Sequence, residues 1–462
     1  MELPTSFVER TKPLIGADWQ LFVDALNEEP ITSIRVNSAK TANLGLSYAK
    51  VPWCRQGYYL NKRPSFTFDP LFHAGAYYVQ EASSMFLEQA INQYLETDVC
   101  VLDLCAAPGG KSSHLADLLS EGSFLVSNEV IRSRADILSE NMTKSGHANV
   151  VVTNNDPHEI GRLTHCFDAI LIDAPCSGEG MFRKDKNAVQ EWSPANVQLC
   201  KERQQRIVAD VWDALKPNGI LIYSTCTYNK EENEDNVLWI SNNLGAESLP
   251  LTFDSSWNVM PSYCSDVYAY HFFPHKTKGE GFFIAVLRKA GGLESPAPTK
   301  IAKKQKNQTK PEFLADGYSN YLAFPDRFSF FSKGEKWFAV PSLHYKMFDY
   351  ISSKLRLVSG GICIGEFKGR DFIPHHSLAM SIDLNKNAFV GMTYEVDRDT
   401  AIAYLKKEAV SMPDMAKGYV LLVYEGRPLG FVKNIGNRAN NLYPQAWRIR
   451  STYSSGSGDS IL

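Results

Sequence analysis

Short apolar runs alternate with segments of helical periodicity between Asp98 and Lys289. The apolar runs are DVCVLDLC, FLVSNEV, NVVVTNND, FDAILIDAP and GILIYSTCTY, and the intervening segments include KSSHLADLL and RADILSENM. This alternation predicts a parallel β-sheet that is covered by helices on both faces. The final apolar run, GFFIAVLRK, predicts an additional strand at the edge of that sheet.

A long amphipathic helix is expected before the GILIYSTCTY run. Apolar side chains recur there at helical spacing, at Ile207, Val208, Val211 and Leu215. The segment Lys216-Pro217-Asn218-Gly219 is expected to end this helix.

The flanking regions have different patterns. A helix is expected from Trp19 to Leu26 and a strand in ITSIRVNS, so residues 1–70 are predicted to form a small α+β cap on a sheet domain of residues 71–290. Residues 291–310 are rich in Pro, Gly and Lys and indicate a linker. Residues 311–385 are interpreted as an intermediate α+β region, and residues 386–462 as a C-terminal domain. The C-terminal domain contains a predicted hairpin, YVLLVYEGRPLGFVK.

The composition, with 44% hydrophobic and 21% charged residues among 462, excludes a disordered or fibrous protein. The sequence has no apolar segment long enough to span a membrane, and its first residues lack the apolar core of a signal peptide. We therefore expect a soluble cytoplasmic protein, and we expect it to be a monomer.

The net charge of −3 conceals an asymmetry along the chain. Residues 1–290 carry 25 Lys and Arg against 35 Asp and Glu, whereas residues 291–462 carry 23 against 16. The basic C-terminal third is typical of contact with an anionic polymer, although uneven surface charge explains it equally well. The lysines of the linker could contact phosphates or belong to a solvated hinge. They are Lys300, Lys303, Lys304, Lys306 and Lys310.

Nine cysteines are scattered singly, and none forms a CxxC pair. This spacing argues against a disulfide framework and against a thiolate zinc site, so no metal is expected. Most of these thiols are expected to be small buried side chains.

A loop of small residues lies between a predicted strand and a predicted helix, and it comprises Ala106, Ala107, Pro108, Gly109 and Gly110. Small residues at a helix N-terminus let a ligand approach the backbone closely. The loop has neither the dinucleotide nor the triphosphate-binding pattern.

Acidic residues follow three successive strands, at Glu129, Asp156 and Asp173. Glu129 is placed to bind ribose hydroxyls, although any one of these acids could instead cap a helix. An acidic rim disfavours a polyphosphate and suits a cationic nucleoside, so S-adenosylmethionine is the expected cofactor.

Two cysteines, Cys176 in DAPCSGEG and Cys226 in YSTCTY, follow strands at the same predicted sheet edge. With the DLCAAPGGK loop, these segments resemble the marks of the Sun-type RNA (cytosine-5) methyltransferases. The resemblance extends from about Ile31 to Lys289 and includes SIRVN, YVQEASSM and FFPHKTKGEGFF. It implies a Rossmann-like, S-adenosylmethionine-dependent methyltransferase domain of the α/β class.

The resemblance also implies roles for individual residues. Cys226 is the implied nucleophile towards carbon 6 of cytosine, and Cys176 helps to release the methylated base. Asp173 is expected to bind the cytosine edge, and Lys111 to favour the thiolate. The implied cofactor contacts are Cys105, Ala106, Ala107, Pro108, Gly109, Gly110, Lys111, Glu129, Asp156 and Asp173.

The segment GNRANNLYPQAWRIRS resembles the C-terminal module of the bacterial small-subunit ribosomal RNA methyltransferase F group. A PUA-like RNA-binding domain is therefore expected at residues 386–462, and the N-terminal cap is expected to bind RNA too. Flanking contacts must offset the cost of exposing the target base. The candidate contacts are Lys433, Arg438, Asn440, Asn441, Tyr443, Trp447, Arg448 and Arg450, of which Tyr443 and Trp447 could instead belong to the core.

The favoured hypothesis is an enzyme that forms 5-methylcytidine in 16S ribosomal RNA, with that RNA or the small subunit as its partner. Transfer RNA remains an alternative substrate. A DNA cytosine-5 methyltransferase is disfavoured because such enzymes do not need the STCT thiol. An amino-group methyltransferase is disfavoured because the fourth strand ends in DAPC. A ribosome-assembly factor that acts by binding alone is a further alternative.

Overall fold

The computed structural model describes residues 1–41, 47–291, 311–312, 314, 317–412, 414–452 and 461. The N-terminal region forms two helices and then a three-stranded antiparallel sheet of order β2-β1-β3. Its elements are α1 (Thr5–Ile15), α2 (Trp19–Leu26), β1 (Ser33–Val36), β2 (Gly57–Tyr59), α3 (Pro70–His73) and β3 (Tyr77–Val79). The helix and strand expected here are confirmed. The sheet continues past residue 70 because β3 pairs with β1.

The central region alternates strands and helices as expected. Its elements are α4 (Leu87–Tyr94), β4 (Cys100–Asp103), α5 (Gly110–Leu118), β5 (Phe124–Asn128), α6 (Arg132–Ser145), β6 (Val150–Thr153), α7 (Pro157–Gly161), β7 (Phe167–Asp173), α8 (Lys186–Glu191), α9 (Pro194–Val211), β8 (Leu215–Thr225), α10 (Glu234–Leu244), β9 (Ala246–Leu249), β10 (Met260–Pro261), β11 (Tyr270–Phe272) and β12 (Phe282–Lys289). None of the helices in the described ranges is long and apolar enough to cross a membrane.

The central sheet has the order β8-β7-β4-β5-β6 in its parallel part. This arrangement confirms the expected α/β class. The expectation that GFFIAVLRK forms an edge strand is wrong, because β12 pairs with β8 on one side and with β9 and β11 on the other. All six residues from Phe282 to Leu287 are buried, as an interior strand requires.

The helix expected to reach Leu215 is shorter than predicted. It starts at Pro194, where the side chain of Ser193 accepts a hydrogen bond from Asn196, and it ends at Val211. Leu215 begins β8 instead and pairs with Phe167. Leu215 lies at a helical spacing from Val211 by coincidence, because a buried strand also requires an apolar side chain at this position.

The two C-terminal regions follow residues 292–310, so the expected linker lies outside the described residues. The elements are β13 (Phe328–Lys333), β14 (Lys336–Pro341), α11 (Tyr345–Lys354), β15 (Leu357–Gly360), β16 (Ile362–Lys368), β17 (Asp371–Pro374), α12 (His376–Met380), β18 (Thr393–Glu395), α13 (Arg398–Leu405), β19 (Gly418–Tyr424), β20 (Arg427–Asn434) and β21 (Ala439–Asn441). The predicted hairpin is confirmed as β19 and β20. Strand β15 pairs with β6 rather than with a strand of the C-terminal regions, and this pairing extends the central sheet.

Alternate residues of the central strands pack into separate cores on the two faces of the sheet. Leu102 and Ile170 belong to one core, and Val101 and Leu171 belong to the other. Both sets are buried, which explains why these strands read as continuous apolar runs. A third core joins the N-terminal sheet to the C-terminal one, where Ile34 packs in the same cluster as Val420.

Candidate active site

The loop of small residues connects β4 to α5 at the carboxyl edge of the sheet. Ala106 donates its backbone N–H to the carbonyl of Asn128 at 2.9 Å. Arg134 donates to the carbonyl of Ala107 and Asn141 to that of Pro108, both at 2.8 Å. Side chains of α6 therefore hold the loop in one conformation.

Gly109 and Gly110 leave little room for a side chain. Gly109 has a φ of +115°, and a Cβ there would lie 3.2 Å from Leu138. A Cβ on Gly110 would lie 3.1 Å from the ring of Tyr78. Glycine at both positions keeps the start of α5 open to a ligand at its N–H groups.

Glu129 follows β5 with only 3% of its surface exposed. Its Oε1 accepts a hydrogen bond from the N–H of Ile131 at 2.9 Å, and its Oε2 lies 3.3 Å from Arg134. Each carboxylate oxygen can still accept a second hydrogen bond. Val130 and Ile131 are exposed beside it, at 54% and 50%, and they offer an apolar surface.

Asp156 follows β6 and lies at the surface. Its Oδ1 accepts a hydrogen bond from the N–H of His158, and Glu159 completes a capping box at the start of α7. The alternative reading of an acid as a helix cap therefore applies to Asp156.

Asp103, at the end of β4, is a candidate that the sequence reasoning did not single out. It is fully buried, and its Oδ2 accepts a hydrogen bond from Ser112 at 2.6 Å. Its Oδ1 has no hydrogen-bond partner among the described residues. Burial raises the pKa of Asp103 to about 7. The available signal was its position as the first residue of DLCAAPGGK.

Cys176 and Cys226 meet at the carboxyl ends of β7 and β8. Their sulfur atoms lie 3.1 Å apart as free thiols. The N–H of Cys226 also points to the sulfur of Cys176, at 3.4 Å. The hydrogen bond with Cys226, together with burial, raises the pKa of Cys176 well above its usual value. Cys176 therefore retains its proton, and it can donate this proton to the neighbouring sulfur.

Lys111 and Asp173 form an ion pair beside the thiols. The Nζ of Lys111 lies 2.8 Å from Oδ2 of Asp173, and Oδ1 accepts a hydrogen bond from Ser224 at 2.9 Å. Burial works to lower the pKa of Lys111, but attraction to Asp173 and to Cys226 outweighs it and raises the pKa. Lys111 is therefore a permanent cation within electrostatic range of Cys226.

Two buried glutamates join the loops that carry the thiols, and sequence reasoning gave them no role. Glu179 accepts the backbone N–H groups of Tyr228 and Asn229 at 2.7 and 3.0 Å, and the indole N–H of Trp192 at 2.9 Å. Glu232 accepts the N–H of Ser177 at 3.0 Å. Both acids come shortly after a thiol in the sequence: Glu179 in GEG after Cys176, and Glu232 in NKEENE after Cys226.

The loops also approach each other through their backbones. The N–H of Gly180 donates to the carbonyl of Cys226 at 2.8 Å. A Cβ on Gly180 would lie 2.9 Å from that carbonyl and 2.7 Å from the carbonyl of Gly281. Glycine is required at this position because the loop of Cys176 lies directly against that of Cys226.

Cys105 lies in the cofactor loop but not with the other two thiols. It is half-buried, and burial raises its pKa. Asp103, Asp173 and Glu129 raise this pKa further, and a thiol that stays protonated is a poor nucleophile. Its position in the loop is consistent with a packing role or a cofactor contact.

The C-terminal candidates divide into buried and exposed groups. Tyr443 is fully buried, and Lys433 forms an ion pair with Asp371. Asn441 donates to two backbone carbonyls, so its amide has a structural role. The exposed candidates are Arg438, Asn440, Arg448 and Arg450, whereas Trp447 is half-buried. The linker lysines lie outside the described residues.

One buried group in the described ranges has the side chains of a metal site, although no metal was expected. Nε2 of His114 lies 3.3 Å from Glu88 and 3.8 Å from the sulfur of Cys54. The guanidinium of Arg35 acts on both Cys54 and Glu88. A hydrogen-bonded cluster that faces a cation accounts for this arrangement, and a dication there would meet like charge.

Three family models match separate parts of the chain. Residues 3–82 match the N-terminal domain of 16S rRNA methyltransferase RsmF. Residues 91–288 match 16S rRNA methyltransferase RsmB/F, and residues 392–449 match the methyltransferase RsmF PUA domain.

Curated relatives match almost the whole chain. A ribosomal RNA small subunit methyltransferase F of Aeromonas salmonicida is 30% identical over 96% of both chains. The protein of the same name from Cronobacter sakazakii is 29% identical, again over 96% of both chains.

Solved structures resemble about three fifths of the chain. A methyltransferase homologue from Pyrococcus horikoshii is 30% identical, with a TM-score of 0.54 over 62% of this chain and 95% of its own. NSun6 from the same organism, solved with SFG, shares the fold at 21% identity, with a TM-score of 0.53 over 63% of this chain and 99% of its own.

Proposed function

Because the chain belongs to the ribosomal RNA small subunit methyltransferase F family, we propose that it forms 5-methylcytidine in the RNA of the small ribosomal subunit. The observation that carries this proposal is the pair of thiols at the carboxyl edge of the sheet, 3.1 Å apart and next to the Lys111–Asp173 ion pair. Two thiols beside one cation suit a reaction that adds a thiolate to the base and later removes it.

The residues at the edge of the sheet fit S-adenosylmethionine. The N–H groups after Gly109 suit its carboxylate, and the unpartnered Oδ1 of Asp103 suits its ammonium. Glu129 would bind the ribose, and the exposed Val130 and Ile131 would cover the adenine. When bound, this cofactor supplies an electrophilic methyl group on a sulfonium.

Several contacts in this proposal come from the family resemblance. Cys105, Ala106, Ala107 and Pro108 are proposed to line the site through the loop between β4 and α5. Asp156 remains a proposed contact because the bond to His158 occupies only its Oδ1.

Carbon 5 of cytosine is a poor nucleophile until carbon 6 carries a substituent. We propose that the Cys226 thiolate adds to carbon 6, which gives carbon 5 the electron density to accept a methyl group. Asp173 would bind the base near ring nitrogen 3 and stabilise the protonated adduct. Lys111 would hold the negative charge on the Cys226 sulfur before the attack.

Release of the product requires loss of the carbon 5 proton and expulsion of the thiolate. Cys176 is the proposed relay for this step, because its sulfur lies 3.1 Å from the sulfur that must leave. The Cys176 thiol would give its proton to the leaving Cys226 sulfur and, as a thiolate, accept the proton of carbon 5. The electron pair of the carbon 5–hydrogen bond then forms the carbon 5–carbon 6 double bond, and the pair of the carbon 6–sulfur bond leaves with Cys226.

The target cytidine must be unstacked, because the thiolate approaches across the face of the ring. The PUA domain and the N-terminal sheet share a core, so both can act on the RNA as one surface. Exposed Arg438, Arg448 and Arg450 are the proposed phosphate contacts, with Asn440 beside them. With this substrate, the proposed site of action is the cytoplasm.

Bisulfite sequencing of total RNA from cells with and without the gene tests the reaction and the substrate together. The expected result is one or more 5-methylcytidines lost from small-subunit ribosomal RNA. A site lost from transfer RNA instead would keep the chemistry and replace the substrate.

A strain with Cys226→Ala separates catalysis from binding. Loss of the modification in that strain is expected while ribosome assembly proceeds. An unchanged modification pattern in the Cys226→Ala strain would favour a factor that acts by binding.

A further inference from the structure

A cavity of about 340 Å³ lies between the central sheet domain and both C-terminal regions. Residues of α6 and β6 form one wall, and residues of β14, β15, β16 and α12 form another. Trp447 of the C-terminal domain closes a third side. This volume is within the usual range for a site that holds a small ring-containing ligand.

The lining combines flat apolar surfaces with short polar groups. Met142, Phe338 and Trp447 supply the apolar surfaces. Hydroxyl groups come from four serines and imidazoles from three histidines: Ser139, Ser359, Ser377, Ser381, His147, His375 and His376. The combination suits a ligand that stacks through its face and forms hydrogen bonds through its edge.

His376 is the most informative of these side chains. It is 5% exposed, and neither of its ring nitrogens has a hydrogen-bond partner among the described residues. Its ring meets those of Tyr443 and Trp447 edge-on, at 5.1 and 5.2 Å. Packing therefore fixes a side chain whose polar atoms still need partners.

The imidazoles of the cavity are neutral at physiological pH. Burial lowers the pKa of His376 well below its usual value, and it lowers the pKa values of His147 and His375 to about 4. A neutral imidazole offers one donor and one acceptor. It is therefore suited to the mixed edge of a nucleobase rather than to a phosphate.

Lys336 provides a cation at the border of the cavity. It contributes to the lining from the exposed start of β14. Lys144 also lies near, with its Nζ 5.6 Å from the ring centre of Trp447, but it is buried and paired with Glu140. Neutral polar groups inside and one exposed lysine at the border match a base with its phosphate outside.

We propose that this cavity binds an unstacked nucleobase of the RNA substrate, distinct from the cytosine that is methylated. Strand β6, whose first residue Val150 lines the cavity, is three strand positions from β7, whose carboxyl end precedes Cys176. Three spacings amount to about 14 Å across the sheet. The inference rests on the proposed function because it takes the bound polymer to be the substrate RNA.

The substitution His376→Phe keeps an aromatic ring at this position and removes both ring nitrogens. The full-length protein and small-subunit ribosomal RNA transcribed in vitro are used, and affinity is measured at several salt concentrations. We expect binding to weaken about tenfold with an unchanged salt slope. Lys336→Gln should instead reduce the slope by about 0.7. His165→Asn, a histidine outside the cavity, is the matched control.

Crosslinking of the wild-type protein avoids any effect of substitution on folding. RNA that contains 4-thiouridine is irradiated on the protein, and the adducts are mapped by mass spectrometry. We expect crosslinks in the peptides that contain Phe338 and Trp447. Unchanged affinity in a folded His376→Phe variant, together with no crosslink in these peptides, overturns the proposal.

Free adenosine, guanosine, cytidine and uridine distinguish the source of the base. Ligand-observed NMR that detects them in the cavity, with RNA affinity unaffected by His376→Phe, would identify a small-molecule site and overturn the RNA assignment. Bisulfite sequencing separates this proposal from the proposed function. If the gene is required for 5-methylcytidine and the His376→Phe variant binds RNA normally, only the cavity proposal is rejected. If the His376→Phe variant binds RNA more weakly and the gene is not required for any 5-methylcytidine, only the proposed reaction is rejected.

Discussion

The sulfur atoms of Cys176 and Cys226 lie 3.1 Å apart although 50 residues separate them in the chain. Each follows a strand, and the two strands are parallel neighbours in the sheet, so their carboxyl ends meet. The thiols remain free, and the proton on Cys176 can be shared with Cys226. The proposed mechanism gives different tasks to these two chemically identical side chains.

Removal of each thiol should therefore have a different effect. Cys176→Ala should accumulate a protein–RNA adduct that survives denaturant, because the methylated base is no longer released. Cys226→Ala should form no adduct, because the nucleophile is gone. Denaturing gel electrophoresis with labelled RNA measures both. Equal adduct in the two variants would contradict the assignment, and Cys264→Ala, a half-buried free thiol elsewhere, is the control.

Loss of the cation beside the thiols should change the pH dependence of methyl transfer. In Lys111→Met, the half-maximal rate is expected at higher pH, because a thiolate without its cation forms less readily. At pH 7.5 the rate should fall at least about tenfold and recover partly in alkaline buffer. Lys201→Met removes a comparable lysine from its ion pair with Asp235 and should leave the profile unchanged.

Asp103→Asn should stabilise the protein without cofactor at neutral pH. The pKa of Asp103 rises from 3.8 to about 7 on folding, so the folded state holds the proton more tightly. Stability is therefore lost as pH rises from about 4 to 7, by at most about 4 kcal/mol. Urea unfolding at pH 5 and pH 8 should show about 3 kcal/mol of this loss in the wild type and a smaller loss in the variant.

The same substitution should weaken S-adenosylmethionine binding, because a neutral amide replaces the proposed partner of its ammonium. Titration calorimetry at pH 8 measures this affinity. Asn can still accept the hydrogen bond from Ser112, so a folded variant is expected. Unchanged cofactor affinity would remove Asp103 from the site.

The conformation of the two thiol loops depends on Glu179, a buried carboxylate that only accepts hydrogen bonds. In Glu179→Gln, the amide nitrogen must face either Trp192 or the N–H groups of the Cys226 loop. We expect a loss of stability of about 2 kcal/mol and a reduced kcat with unchanged cofactor affinity. Glu191→Gln, on the surface helix α8, should affect none of these measurements.

Local sequence predicted the parts of the site that one segment determines. The loop from Ala106 to Gly110 and the acid at Asp173 follow from strand ends alone, because parallel strands present their carboxyl ends at one edge. The role of Glu232 could not be predicted, because it depends on contact with Ser177 across 55 residues.

Non-local pairing explains the differences in the fold. Strand β15 joins β6 across about 200 residues of sequence, and no local pattern in LVSG indicates that partner. Asp156 shows the converse, because local chemistry with Glu159 makes it a helix cap while its place in the strand order suggested a ligand contact.

The exposed arginines of the C-terminal domain should account for part of the salt dependence of RNA binding. Each phosphate contact releases counterions, so Arg448→Gln with Arg450→Gln should reduce the slope of log affinity against log salt by about 1.4 to 1.8. The pair Arg203→Gln and Arg206→Gln on α9 removes the same charge and should leave most of the slope. Filter binding with small-subunit ribosomal RNA measures both. If the two pairs reduce the slope equally, the effect comes from net charge, and these arginines are not specific contacts.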